Sequence, residues 1–443
     1  MDNSLYLLSV SVSGIKSIEK PVSISFYKKG IDKNFNPEKY RVKAIYGENG
    51  AGKSAIITSV SIFKNLVINE DYLSDLSNQK LLKEMINKKT KCFHFECEFL
   101  NKVKNDFFVY KYVIELKLNE KERYEISHEH LERKNGNYPQ SEYKSVFECK
   151  EGKLIFADCD TSTLELITKL TFNLLSVKSL ETVILSNLEE FKDKDRLSGT
   201  AVSSVLYCAV LAIITNVYLA DEDRHELYFI QKKLNEELMQ DESSSELIEC
   251  FNKCLIEFTS VNEKRVYKSD FEKYKGKVDG LFQFIKLFKK ELAAIEIDTK
   301  EHGDYLECEL VMNYGDYKIA KEFESTGIKK LISLYDCLVS AGNGGIVFID
   351  EMDSNINDVY LCRIVEYFMY YGKGQLCFTT HNIDPMNVLK ENKYSIEFLS
   401  SDNILIPWSA KGNSSPENAY KNGLIANLPF NITATDFIGI LGG

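Results

Sequence analysis

Residues 41–54 read RVKAIYGENGAGKS, a short apolar run that passes directly into a glycine-rich turn ending in Lys53 and Ser54. The next stretch, AIITSVSIFKNLVI over 55–68, carries its apolar residues at helical spacing. Strand, glycine turn and helix in that order make an anion cradle, because glycines lacking Cβ let backbone N–H groups close around a phosphate at the positive end of a helix. The full G-x-x-x-x-G-K-S pattern is present. Gly47, Asn49, Gly50 and Gly52 are therefore assigned to the loop, Lys53 to the β- and γ-phosphates of a triphosphate, and the Ser54 hydroxyl to Mg²⁺.

Three further elements follow in an order that suits this cradle. Residues 346–351, IVFIDE, are a buried strand ending in two acids. Asp350 is read as a Mg²⁺ ligand, direct or through water, and Glu351 as the general base that polarises an attacking water. After a helix over Val359–Tyr370, a second buried strand ends in Thr379, Thr380 and His381, where an imidazole can bridge the γ-phosphate and the base. About twenty residues before the acidic pair, ESTGIKKL opens a helix. Its Ser325 and Gly327 offer a hydroxyl and bare amides to an anion, although alone the segment is an ordinary N-cap.

The 443 residues exceed what one hydrophobic core usually supports, and 44% of them are apolar. YLLSVSVSGIKSIEKPVSISF alternates on both sides of 14–21 as two half-buried strands, and 91–150 is rich in aromatic and β-branched residues, as an antiparallel β region is. Between Thr161 and Leu292 the pattern turns helical and charge-rich, before strands return at YLECELVM. The expected fold is α/β, with a mixed or parallel sheet, an antiparallel β subregion and a helical insertion. The expected division is 1–160 for the P-loop half with its β subregion, 161–294 for the insertion, and 295–443 for the half with the signature, acidic pair, histidine and tail.

A formal charge of −11, from 55 Lys+Arg against 66 Asp+Glu, repels a phosphodiester backbone unless basic residues cluster. Nucleic acid is therefore left undecided as a partner. The 11 cysteines include no CxxC pair; Cys250 and Cys254 are the nearest to a cluster, and all are read as reduced thiols of a cytoplasmic chain without a secretory signal. Ala201–Ala220 is uncharged and long enough to cross a bilayer, but a crossing there would put Lys53 and Asp350 on opposite sides of it. A buried core helix is expected, and no membrane. His128 and His130, two apart in SHEHLER, share a strand face; with no third ligand evident in the sequence they read as solvent-facing polar residues.

These four elements, spread from Gly47 to His381, resemble the ATPase heads of ABC, SMC and RecF-type proteins. More closely they resemble bacterial ABC-like AAA ATPases of the OLD-like and RloA-like groups: ESTG stands for the signature, followed by DEMD and TTHN, and NAYKNGLIANLPFN resembles the tail of that group. The nearest functional analogue is the ATPase half of PARIS-type anti-phage systems. The resemblance implies ATP and Mg²⁺ as cofactors and a homo-oligomer, a dimer of heads or higher, in which Ser325 and Gly327 act on nucleotide held by another subunit. It also implies a D-loop beginning at Asp353, a separate nuclease or toxin as effector, and a phage protein as candidate trigger. Two departures stand out: Asn357 and Asp358 replace the His-Pro after the D-loop, and no Q-loop glutamine is placed beyond a guess at Gln79. The competing readings are a RecF/SMC-like repair ATPase, which lacks sustained heptads here, and a self-contained OLD-like nuclease, for which Asp158 and Asp160 would be the metal-binding DxD but read better as a strand-end turn.

Overall fold

A computed structural model describes residues 5–27, 30–103, 106–191, 196–197, 199–219, 260–392, 394–408 and 415–425. Its centre is a six-stranded sheet of β3 (Val42–Gly47), β9 (Thr215–Tyr218), β14 (Ile346–Ile349), β15 (Gln375–Thr379), β16 (Ile396–Leu399) and β17 (Leu405–Pro407), strands being numbered along the chain. The spatial order is β17-β16-β3-β15-β14-β9, parallel throughout except for the β16–β17 edge pair. Successive side chains point to opposite faces, and both faces are covered. Ile45, Phe348, Cys377 and Leu399 enter one core, while Ala44, Tyr46, Val347, Ile349, Phe378 and Phe398 enter the other. That double burial is why IVFI and QLCFT are apolar without alternation.

The first core lies between this sheet and a seven-stranded antiparallel sheet. The latter comprises β1 (Leu5–Ser13), β2 (Val22–Ser25), β4 (Cys92–Val103), β5 (Asp106–Leu118), β6 (Tyr124–Asn135), β7 (Lys144–Lys150) and β8 (Lys153–Ala157), in the order β2-β1-β4-β5-β6-β7-β8. The helix Lys53–Ile68 is clamped between the sheets, with Phe63 stacked on Phe95 at 4.6 Å and tilted against Tyr112 at 5.6 Å. A buried amide ties the sheets together: Gln375 Oε1 accepts from Leu7 N at 2.7 Å and Gln375 Nε2 donates to Leu7 O at 2.8 Å. The β1–β4 register shifts between Leu7 and Ser9, so this side-chain clamp sits beside the bulge.

The second core fills the opposite face. It gathers the helices Phe271–Lys286, Thr326–Asn343 and Asp358–Tyr370 and a small antiparallel sheet of β10 (Arg265–Tyr267), β11 (Ala294–His302), β12 (Tyr305–Asn313) and β13 (Lys318–Ala320). Within the central sheet, Lys43 of β3 and Glu397 of β16 form an ion pair at 2.8 Å, their side chains 2% and 7% exposed.

One expectation needs correction. The run from Ala201 is a buried helix only as far as Ile214 (Thr200–Ile214); Thr215–Tyr218 is a strand, the outer member of the central sheet beside β14. TNVY follows the helix with no glycine, proline or charge to mark the junction, and four residues are too short a run to show a period of their own. The stretch read as helical thus contributes a strand to the sheet, and the helices Thr161–Leu170, Leu180–Ser186 and Thr200–Ile214 bury Ile167, Leu180 and Val205 in the first core. Among the described residues no helix is long and apolar enough to cross a membrane. The charged stretch 221–242, Cys250 and Cys254, and the end of the NAYKNGLIANLPFN segment lie outside the described residues.

Candidate functional site

Parallel strands end on one edge of their sheet, and ligands of open α/β sheets sit there. At that edge the neighbours β3, β15 and β14 deliver three things side by side: the Gly47–Ser54 loop, the Thr379–His381 corner and the Asp350–Glu351 pair. Neighbouring strands are about 4.8 Å apart, so the loop and the acids stand on either side of the β15 corner at about twice that spacing.

The loop is shaped by backbone. Gly52 caps the helix Lys53–Ile68 with φ 106°, a left-handed conformation, and a Cβ there would come within 2.9 Å of the buried Ile18 side chain. Lys53 folds back over the loop, its Nζ donating to the carbonyls of Gly47 and Glu48, each at 2.9 Å. Burial lowers the pKa of the Lys53 ammonium, against the pull of Asp350, Glu351, Asp353 and Glu48. Those four acids are thus within electrostatic reach of the lysine. Among the described residues no side-chain carboxylate is hydrogen-bonded to it, which leaves the ammonium ready to exchange two carbonyls for an anion of greater charge.

At the end of β14, Thr379 of the neighbouring β15 organises the acids. Its hydroxyl donates to Asp350 Oδ1 at 2.5 Å and accepts from Glu351 N at 2.8 Å, and its carbonyl accepts from Met352 N at 3.0 Å. Glu351 holds φ 47°, in the left-handed region that few non-glycine residues occupy, and its side chain is exposed. Strain of this kind persists where the surroundings over-determine the backbone. The second pin is Lys330, whose buried Nζ donates to Glu351 O at 3.1 Å and lies 4.4 Å from the Tyr218 ring centre. His381 is exposed, its backbone N–H donating to Asp353 Oδ2 at 3.3 Å. Desolvation first, and Lys53 second, lower its pKa from the ordinary value, outweighing Asp353, Glu351 and Asp350, so the imidazole is neutral at pH 7.

Ser325 caps the helix Thr326–Asn343, its hydroxyl accepting from Ile328 N at 3.4 Å, and it is exposed. Glu324 is oriented by Tyr314 and by Ser325 N, the latter at 3.0 Å. Gly327 has a reason to be glycine inside this subunit, since a Cβ would meet Asn355 O at 2.8 Å. The segment after the acids therefore packs directly on the start of the helix Thr326–Asn343. Lys330 and Asn355 were not legible from motif reading; the only trace was a basic pair one turn into that helix.

Two other sequence readings are resolved. Gln79 donates to the carbonyls of Leu73 (2.8 Å) and Tyr124 (3.0 Å) and accepts from Tyr124 N (2.8 Å), so it clips a helix to β6 and is no Q-loop residue. Asp160 N-caps Thr161–Leu170, taking hydrogen bonds from Thr163 N at 3.0 Å and the hydroxyls of Thr163 (2.6 Å) and Ser162 (2.7 Å), which hold its carboxyl well below the usual range. It is the strand-end turn, as read. Asn357 caps Asp358–Tyr370 through Val359 N at 3.0 Å.

No protein family and no curated relative matches the sequence. Among solved structures, an SMC head bound to the C-terminal winged-helix domain of ScpA aligns over 92% of this chain and 98% of that one, with 14% identity and a TM-score of 0.37. A likeness of that looseness carries no argument about this chain.

Proposed function

We propose that the chain is an ATPase whose nucleotide site is the shared edge of β3, β15 and β14. The observation that carries this is the convergence of Lys53, Asp350, Glu351 and His381 on one sheet edge around an anion cradle formed by backbone. The residues fit a Mg-nucleotide: the loop is built of glycines, the lysine is held by two carbonyls, and Asp350 is oriented by a neighbouring hydroxyl. When bound, ATP supplies the phosphoryl group and Mg²⁺ neutralises its charge. Lys53 would trade its two carbonyl partners for phosphate oxygens. The Ser54 hydroxyl and the Asp350 carboxylate would hold the ion, with Thr379 keeping the latter in register. Glu351 accepts a proton from water, and neutral His381 can donate or accept beside it without adding charge.

The signature segment suggests that the site is shared between copies. Ser325 is exposed and, among the described residues, its hydroxyl serves its own helix, so another subunit's nucleotide can approach it. Ser325→Arg and Lys53→Ala should each abolish turnover. In a two-fold dimer, a random equal mixture of the two variants should regain about a quarter of wild-type activity, because half the dimers are mixed and each carries one intact site. Phosphate release from such mixtures, with mixed oligomers verified by tag capture, measures it; zero recovery would exclude the trans arrangement.

On the resemblance of ESTG, DEMD and TTHN, the cycle is assigned to a homo-oligomeric defence scaffold controlling a separate nuclease or toxin. What supports this over a self-contained nuclease is Asp160, whose carboxylate is engaged by three hydrogen bonds at a helix start. The chain expressed alone should release phosphate from ATP yet leave plasmid DNA and RNA intact with Mg²⁺ or Mn²⁺. Cleavage that disappears in Asp158→Ala/Asp160→Ala would reverse the assignment.

A further inference from the structure

The outer face of the seven-stranded sheet holds a feature unrelated to nucleotide. Alternation along β6 puts His128 and His130 on the same face, and β7 runs antiparallel beside them with His130 opposite Glu148 and His128 opposite Lys150. The third ligand type that the sequence did not reveal is supplied by this register. His128, His130 and Glu148 each bring one ligand atom to within 4.8 Å of the other two. The two imidazole rings are 5.9 Å apart, centre to centre, and His128 Nε2 lies 3.2 Å from Glu148 Oε1. We propose that these three side chains form a binding site for a late first-row divalent cation of the Zn²⁺ class.

The donor set selects the ion. Two imidazoles and one carboxylate, with a fourth position left to solvent, suit Zn²⁺, whereas Mg²⁺ and Ca²⁺ want oxygen ligands. Bonds of about 2.0–2.1 Å in a tetrahedron set donors about 3.3 Å apart. One pair is already at that separation, and the remaining closure is at most about 1.5 Å, within reach of side-chain rotation on a rigid sheet. His130 Nε2 lies 3.1 Å from Ser145 Oγ, a contact that steadies its ring. Lys150 is the antagonist, its Nζ pairing with Glu148 Oε1 at 2.6 Å. A cation must displace that ammonium, so removing Lys150 should tighten binding.

The test uses the full chain, stripped with chelator and free of nucleotide, titrated with ZnCl₂ in competition with a chromophoric zinc indicator and in millimolar Mg²⁺. One Zn²⁺ per chain is expected, with Lys150→Ala binding more tightly. His128→Asn/His130→Asn should weaken binding by more than the roughly 10–100-fold that loss of an outer-shell partner costs. Co²⁺ should give visible d–d bands in the wild type that the double variant lacks. Both positions are on the half-exposed sheet face, and circular dichroism of the metal-free variants checks their fold; the gain in Lys150→Ala has no misfolding explanation. A wild type that takes up no Zn²⁺, or uptake unchanged in the double variant, overturns the site, and neither result depends on ATP turnover.

Discussion

Glu351→Gln should lower ATP turnover by about 10²–10⁴-fold, the range that a positioned general base contributes, while nucleotide stays bound. The substitution is nearly isosteric. The bonds that hold residue 351 are made by its backbone, with N–H to Thr379 and carbonyl from Lys330, so they survive the change and the left-handed turn is kept. Glu351→Gly separates chemistry from scaffold: it also removes the carboxylate, but relieves a backbone strain worth roughly 1–2 kcal/mol. Turnover should be lost in both variants, and thermal stability should rise only in Glu351→Gly. Single-turnover phosphate release with a nucleotide-retention assay measures the first effect and scanning calorimetry the second. Normal turnover in Glu351→Gln would remove Glu351 from the reaction.

The parts of this site legible in the sequence are those made by contiguous residues. Strand, glycine loop and helix at 42–68 need no distant partner to be recognised, and IVFI ending in Asp350 and Glu351 announces a buried strand edge by composition. What stayed hidden is made by register and by approach through space. Lys330 reaches Glu351 across the gap between two elements, and Gly327 is glycine because of a carbonyl twenty-eight residues on. Thr215–Tyr218 was concealed by its shortness, since four residues that follow a buried helix with no breaker between them show no period of their own. Glu148 becomes a neighbour of His130 only after β6 and β7 pair, and the β6–β7 pairing contains a bulge at Leu131/Glu132 that no count along the chain would locate.

The buried pair beside the P-loop strand should show the largest stability effect. Lys43 and Glu397 come from adjacent parallel strands and are almost wholly enclosed, with Lys43 also donating to Tyr394 O. Burial raises the Glu397 carboxyl pKa, and Lys43 pulls it down without cancelling the rise. Removing one partner leaves the other charge without compensation, so Glu397→Ala should cost about 3–5 kcal/mol. Removing both is a different experiment. Lys43→Met/Glu397→Met fills similar volume with no charge to desolvate; a gain of about 1–4 kcal/mol is typical of such replacements, but the Tyr394 carbonyl loses its donor, at about 1–3 kcal/mol, so the double variant should lie near wild type. The pH dependence follows from the same sign. A carboxyl whose folded pKa exceeds its unfolded value of about 4.3 favours folding fully below that value, and the benefit is lost as pH rises through the folded pKa. Wild-type stability should therefore carry a falling component over that window, and the double variant should lack it. Urea unfolding across pH distinguishes the cases: a double variant as unstable as Glu397→Ala would mean that the ion pair, rather than the avoidance of an orphaned charge, holds β3 against β16.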